Sequence, residues 1–229
     1  MDYQELLRKK ALYEQAKDTL PEITVKSYVQ AFELEYTHNS TAIEGNTLTL
    51  LETKVVLEEG LSVGGKKLRE IYEVINHNKA YQYVKACIAQ GLPLDETIIK
   101  EIHAILMENI IVGGIYRKNF YADLPVRDAA NVLELAAWTH AEFVRIHPFA
   151  DGNGRTSRLI MNYQLLAHGF LPVSIAKEAR LDYFNALEAY AVERDVTPFA
   201  DMIASLEEQQ LDRYLGMIER LKQGGLQSE

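Results

Sequence analysis

Apolar positions recur every three or four residues along most of this chain, the signature of helices that bury one face. Residues 3–19 read as a first amphipathic helix, stopped by Pro21. A second covers residues 27–36, with Val29, Phe32 and Tyr36 on one face. The glycine-containing, charged stretch EEGLSVGGKK (58–67) reads as a loop. A long helix follows over about residues 68–90 and ends at Gly91-Leu92-Pro93. Asp95 can cap the next helix, whose Ile98, Ile102, Ile105 and Leu106 share a face, and Gly113-Gly114 is expected to break it. Helix is expected again over about 127–145, 155–168, 176–191 and 198–223. The 155–168 segment is apolar over most of its circumference, as a central helix would be. One stretch, IYRKNFYADLP (115–125), has the aromatics and the closing proline of a short extended hairpin. The pattern predicts one all-α domain, a helical bundle with a short β-hairpin-like flap at about 114–124, no internal repeat and a frayed GGLQSE tail.

Composition adds limits rather than a function. With 229 residues, 48% hydrophobic and 25% charged, the chain can build a core without disulfide or metal staples. The single cysteine, Cys87, excludes an intramolecular disulfide and a thiolate zinc site. It falls in the apolar rhythm of Ala80, Tyr83, Val84 and Ile88, which suggests a core thiol and a reducing, cytoplasmic setting. A net charge of −9 argues against a nucleic-acid partner, because that affinity rests on clustered Lys and Arg. No run of about 20 apolar residues is present, and the first residues mix charges of both signs, so neither a membrane partner nor a signal peptide is expected.

The chemistry concentrates in HPFADGNGRTSR (147–158), a turn-forming stretch between two helices. His147 stands at a helix-to-loop junction, where a neutral imidazole could take a proton from a hydroxyl. Gly152 and Gly154 permit φ > 0, so successive N–H groups could converge on an anion at the start of the next helix. Arg155 and Arg158 lie one turn apart on that helix, and Arg suits bidentate contact with phosphate. Asp151 offers a hard oxygen of the kind Mg²⁺ uses beside phosphates, Asn153 can donate and accept, and Phe149 can anchor the loop. Plainer explanations fit parts of the segment. Asn153-Gly154 alone is a common turn dipeptide. A calcium loop is excluded by Arg155 and Asn162 at its fifth and twelfth positions, and neither a Walker loop nor a dinucleotide fingerprint fits. His77, His103 and His140 fall within helical segments, no HExxH pair occurs, and these histidines read as structural.

Taken whole, HPFADGNGR followed by TSR resembles the signature of the Fic family, whose fold is called Fido, at every defined position. HNSTAIEGNTLTL (38–50) resembles the inhibitory-helix motif of Fic proteins that carry it N-terminal to the core. EVINHNKA (73–80), GIYR (114–117) and LDYFNAL (181–187) are also similar to the family. The resemblance covers about residues 25–205 as the core, leaving 1–24 as an N-terminal helical extension and 206–229 as a C-terminal helix and tail. It implies a protein adenylyltransferase that moves AMP from ATP, with Mg²⁺, onto a Ser, Thr or Tyr hydroxyl of a target protein and of itself. His147 would be the base and Asp151 the metal ligand. Gly152, Asn153, Gly154, Arg155, Thr156, Ser157 and Arg158 would hold the phosphates. Tyr121 and Ala122 of the flap, with Tyr183 and Phe184, would border the nucleotide. The target would dock on the flap as an added strand. A second copy of the chain is a further candidate partner. Glycine at 154 sets the chain apart from the kinase-like branch of the family, which has Lys there, and FYADLP lacks the alternating Val/Ile pattern usual in the flap.

Glu44 admits two readings. Thr41 with Glu44 matches a capping box, which would start a helix at Thr41. Gly45-Asn46 directly after is instead a helix-stop signal, which would end a helix at Glu44. The resemblance favours the second, with Ser40 and Glu44 as inhibitory residues opposite Arg158. Two alternatives remain: a de-AMPylating phosphodiesterase in which Glu44 orients water, and a catalytically silent nucleotide-binding module, against which the intact His147 argues.

Overall fold

The computed structural model describes residues 3–117 and 131–225. Among these residues there are nine α-helices and no strand. They are α1 Gln4–Ala16, α2 Glu22–Ile43, α3 Leu50–Lys54, α4 Leu68–Ala89, α5 Glu96–Leu106, α6 Val132–Ile146, α7 Asn153–Ala167, α8 Arg180–Glu193 and α9 Thr197–Gly225. Among the described residues no helix is long and apolar enough to cross a membrane. The expected hairpin lies largely outside the described residues, and so do Tyr121 and Ala122.

At the centre is α7, packed along α6 and touched by α2, α4 and α5. The all-round apolar pattern predicted this position, and Leu159, Ile160, Met161 and Leu165 are fully buried. On one side Met161 and Leu165 join residues of α6, α8 and α9 in the largest core cluster. On the other, Leu159 and Tyr163 pack with Phe32, Tyr36, Tyr81 and Ile102 of α2, α4 and α5. Cys87 is buried in this second cluster, as its apolar rhythm predicted. Because α7 is enclosed, polar side chains on its first turn are carried into the interior.

Several helix ends differ from the sequence reading. The second helix starts earlier and runs on through HNSTAI, because nothing between Pro21 and Gly45 (φ 98°) interrupts it. Thr41 therefore sits in the last turn of α2. Its hydroxyl donates to Thr37 O at 2.8 Å and starts no new helix, so the capping box at Thr41–Glu44 is not formed. A capping box does form at Thr49 and Glu52, where Thr49 N donates to Glu52 Oε2 at 2.7 Å and Glu52 N to Thr49 Oγ1 at 3.2 Å. It starts the short α3, which continues as a π turn over Val55–Glu59. Asp95 caps α5 as expected, accepting from Ile98 N at 2.8 Å. That helix ends at Leu106, well before Gly113, where Met107 caps it and Asn109 turns left-handed (φ 60°).

On α9, Glu207 is wholly buried and accepts from Leu171 N at 2.8 Å through Oε1, while Oε2 has no hydrogen-bond partner. Burial pushes its carboxyl up to about 8, against smaller opposing effects of the Leu171 bond and Lys10. The native state therefore holds a proton there that the unfolded chain, near 4.3, releases. The stability this supplies is complete below about pH 4 and is lost as pH rises towards 8. Glu207→Gln should remove that decline, leaving the variant more stable than wild type at pH 8. Denaturant titrations at pH 5 and pH 8 measure it, and equal pH slopes in the two proteins would refute the assignment.

Candidate active site

The loop between α6 and α7 is built on backbone geometry. His147 closes α6 in the left-handed region (φ 56°), its N–H donating to Phe143 O at 2.9 Å, and its side chain is exposed. Phe149 turns inward to full burial. Asn153 engages both ends of its amide with the Phe149 backbone, Oδ1 accepting from N–H and Nδ2 donating to C=O, each at 2.9 Å. This fixes the loop, so the Asn153 side chain acts as a brace where the sequence suggested a phosphate contact. Gly152 caps α7 with φ 74°, a conformation that calls for glycine, and it packs beside the Met107 side chain. Gly154 differs from expectation. It lies in the first turn of α7 with helical backbone, and its missing side chain leaves room for Glu44, whose Oε1 a Cβ would overlap. The N–H groups of this first turn have no intrahelical acceptors and lie at the positive end of the helix.

His103, which reads from the sequence as structural, supports the loop from α5. Its ring stacks on Phe149 with centroids 3.6 Å apart and planes 4° apart. Gly114 N donates to its Nδ1 at 2.8 Å, so Nε2 carries the hydrogen and donates to Asp151 O at 2.9 Å. Burial lowers the His103 pKa, which keeps this neutral tautomer in place. His103 and Asp151 stand 48 residues apart, and no local pattern pairs them. Arg117 N also donates to Pro148 O at 2.9 Å, tying the last described residue before the unassigned stretch to the motif.

The two arginines diverge. Arg158 is 1% exposed and turns towards α2. Its Nε donates to Ser40 Oγ at 2.9 Å, and Nη2 to Ser40 O at 2.7 Å and to Glu44 Oε1 at 2.9 Å. Its Nη1 donates to Tyr183 Oη at 3.3 Å, and that hydroxyl meets His140 Nε2 at 2.9 Å. Burial, then the nearby Arg158 charge, pushes His140 down to about 3, so it is neutral and accepts a hydrogen bond from the Tyr183 hydroxyl. Arg155 is 2% exposed and turns towards α4, with Nη1 3.5 Å from Glu73 Oε1 and Nη2 3.5 Å from Asp151 Oδ1. Its Nε and Nη1 make no hydrogen bond, so a buried cation retains unused donors.

Asp151 is partly exposed and pairs with Arg69. Burial acts to raise its carboxyl, but the Gly152 N–H, Arg155 and Arg69 together hold it below the usual range. No cluster of three or more metal-ligating side chains occurs among the described residues. Thr156 and Ser157 are fully buried, and the Ser157 hydroxyl donates to Gly154 O at 2.9 Å. Tyr183 is buried behind Arg158, whereas Phe184 is exposed with the Arg180 guanidinium 4.8 Å over its ring. The structure thus gathers Ser40, Glu44, residues 151–158 and Tyr183 in one place, with His147 on the rim.

Residues 115–165 match the model of the Fic/DOC family. Among curated proteins, the chain is similar to the protein adenylyltransferase Fic of Drosophila virilis, 35% identical over 79% of this chain and 42% of that protein. The Drosophila mojavensis protein of the same name is likewise 35% identical, over 79% of this chain and 41% of its own length. The chain thus spans about two fifths of these relatives. Among solved structures it is similar to a Fic-domain-containing signaling protein from Bacteroides thetaiotaomicron, with a TM-score of 0.77, 28% identity and coverage of 90% of this chain and 94% of that one. It is also similar to Fic-1 from C. elegans, with a TM-score of 0.80, 26% identity and coverage of 93% and 72%.

The contact between Gly154 and Glu44 can be tested as a double-mutant cycle. In a Glu44→Gly background, Gly154→Ala should stabilise by about 0.5–1 kcal/mol, the usual helix-interior gain. In the wild type the added methyl must displace the Glu44 carboxylate, so the same substitution should be neutral or destabilising. Equal effects in the two backgrounds, by chemical denaturation, would show that the side chains at 44 and 154 do not meet.

Proposed function

This chain belongs to the Fic/DOC family, and on that premise we propose that it is a protein adenylyltransferase, moving AMP from ATP to a hydroxyl of a target protein and restrained by its own Glu44. One observation carries the reading. Two buried guanidinium groups flank the start of α7, Arg158 on its α2 side occupied by an internal carboxylate and Arg155 on its α4 side retaining unused donors. Such an arrangement is a phosphate site in a self-blocked state.

The roles follow from placement. The Gly152-capped end of α7 offers N–H groups to phosphate oxygens, with Arg155 below them. Arg158 would take the terminal phosphate once Glu44 leaves it. His147, exposed on the rim, would accept the proton of a Ser, Thr or Tyr hydroxyl as that oxygen forms its bond to the α-phosphorus. The bond from the α-phosphorus to the bridging oxygen breaks, and pyrophosphate departs. Asp151 fits Mg²⁺ as a partly exposed carboxylate beside the phosphate site, the pattern by which Mg²⁺ combines one or two carboxylates with substrate phosphates. When bound, Mg²⁺ would neutralise charge on the phosphates. Positioning of this kind supplies most of the catalysis in phosphoryl chemistry.

The reverse reaction has one observation in its favour. The Glu44 side chain is 35% exposed, so its carboxylate remains reachable by a water that could attack the phosphorus of an AMP-modified side chain, releasing AMP and the free hydroxyl. One substitution separates the two directions. Glu44→Gly frees Arg158 for phosphate, a charge-assisted contact of about 1.5–3 kcal/mol, so self-modification should rise by about 10- to 100-fold. The readout is AMP mass added to the intact protein. An enzyme that uses Glu44 for its water would instead lose AMP removal in that variant. His147→Ala should lower transfer by about 10²–10⁴-fold while ATP binding persists, because base and phosphate grip are separate groups. Loss of ATP binding in His147→Ala, by calorimetry, would make that residue structural.

A further inference from the structure

Outside the motif, two charged residues reach the start of α7 from α4. Arg69, in the first turn of α4, pairs through Nη2 with Asp151 Oδ2 and through Nε with Glu73 Oε1 at 3.1 Å. Glu73 faces Arg155, and Arg155 faces Asp151, each across 3.5 Å. The four side chains close a ring of alternating charge: Arg69, Asp151, Arg155, Glu73. The segment just after Glu44 braces this ring. Asn46 Nδ2 donates to Glu73 Oε2 at 3.0 Å and to Glu70 O at 2.9 Å. Thr47 donates to Glu70 Oε1 from both N and Oγ1, at 2.8 and 2.7 Å. The base from which Arg69 projects is therefore held in register with the end of α2.

The two cations of the ring are not equivalent. Arg155 is 2% exposed and enclosed in the interior, whereas the Arg69 side chain is 52% exposed and free to swing into solvent. Glu73 would remain as a partner for Arg69 after such a movement, so leaving Asp151 strands neither charge. Asp151 is the residue that a divalent cation would need under the adenylyl-transfer reading, on which this inference rests. We propose that Arg69 is a built-in competitor for that cation: its guanidinium occupies the Asp151 carboxylate, and metal binding at Asp151 requires its displacement. The chain then carries two internal locks on one site. Glu44 covers the arginine that would take phosphate, and Arg69 covers the carboxylate that would take metal. Arg69 is a positioning residue here and takes no part in bond making.

The test is metal binding, read apart from activity. Free Mn²⁺ is followed by electron paramagnetic resonance as it is titrated into the full chain, with and without a non-hydrolysable ATP analogue. The comparison covers wild type, Arg69→Gln, Arg69→Lys and Asp151→Asn, each also in a Glu44→Gly background. Removing an exposed ion-pair partner frees Asp151, so Arg69→Gln should bind Mn²⁺ about two- to fivefold more tightly. Arg69→Lys keeps the competing charge and should stay near wild type. Analogue binding without metal should be the same in wild type and Arg69→Gln. Mn²⁺ affinity unchanged or weakened in Arg69→Gln, together with its loss in Asp151→Asn, would overturn the competitor role and leave the functional reading standing. Mn²⁺ affinity indifferent to Asp151→Asn would instead overturn the metal assignment of the functional reading, and this inference with it. A weaker grip on the analogue in metal-free Arg69→Gln would make Arg69 a phosphate ligand and likewise overturn the competitor role.

Discussion

A guanidinium withdrawn from water is the constraint around which this structure is arranged. Arg158 is 1% exposed, and moving a charge to such a place costs several kcal/mol unless it is paired and fully hydrogen-bonded. The fold meets that demand with three residues from two elements: Ser40 and Glu44 at the end of α2, and Tyr183 on α8. The α2–α7 contact is in consequence a polar lock as well as an apolar packing surface. Its only formally charged partner among the described residues is Glu44, the last residue before the chain turns at Gly45. A phosphate offers Arg158 more negative charge than one carboxylate does, so the same buried cation that stabilises the closed arrangement also makes it displaceable.

The surroundings keep the positive potential from being dissipated. His140 and His77 lie near the arginines, and burial together with the arginine charges holds both imidazoles neutral. Neutral histidines can complete hydrogen bonds without adding like charge, as His140 does for Tyr183. Compensation for Arg155 is incomplete, with carboxylates at 3.5 Å and unused donors. The interior under the start of α7 thus keeps positive charge that its own carboxylates leave partly uncompensated.

Rigidity of the motif comes from elsewhere. The Asn153–Phe149 double bond, the His103 stack and hydrogen bonds, and the packing of Gly152 beside Met107 fix the loop against α5. None of these groups needs to touch substrate. They hold the N–H groups of α7 and the His147 position in place before anything binds, and such preorganisation is what makes electrostatic stabilisation effective.

Local sequence determined much of this. The helical period gave the all-α class and the central, enclosed position of α7, because burial on all sides leaves an all-round apolar pattern. Gly45 ended α2 at Glu44, because the required φ of 98° excludes most other residues. The run from His147 to Arg158 marked the site, since residue types at fixed spacing around a helix start limit what they can do together. What local sequence could not show was direction and partnership. It left the pairing of Arg158 with Glu44, 114 residues away, to a resemblance, and it gave no sign that Arg155 would turn to the opposite side. The resemblance puts Asn153 on phosphate, His103 reads only as structural, and the pattern permits Gly154 a positive φ, whereas in the fold Gly154 makes room for a carboxylate from α2. Arg69 passed as a surface charge. These features depend on which helices meet, and a meeting of α2, α4, α5 and α7 is decided by packing across the whole core, where no short window of residues contains the answer.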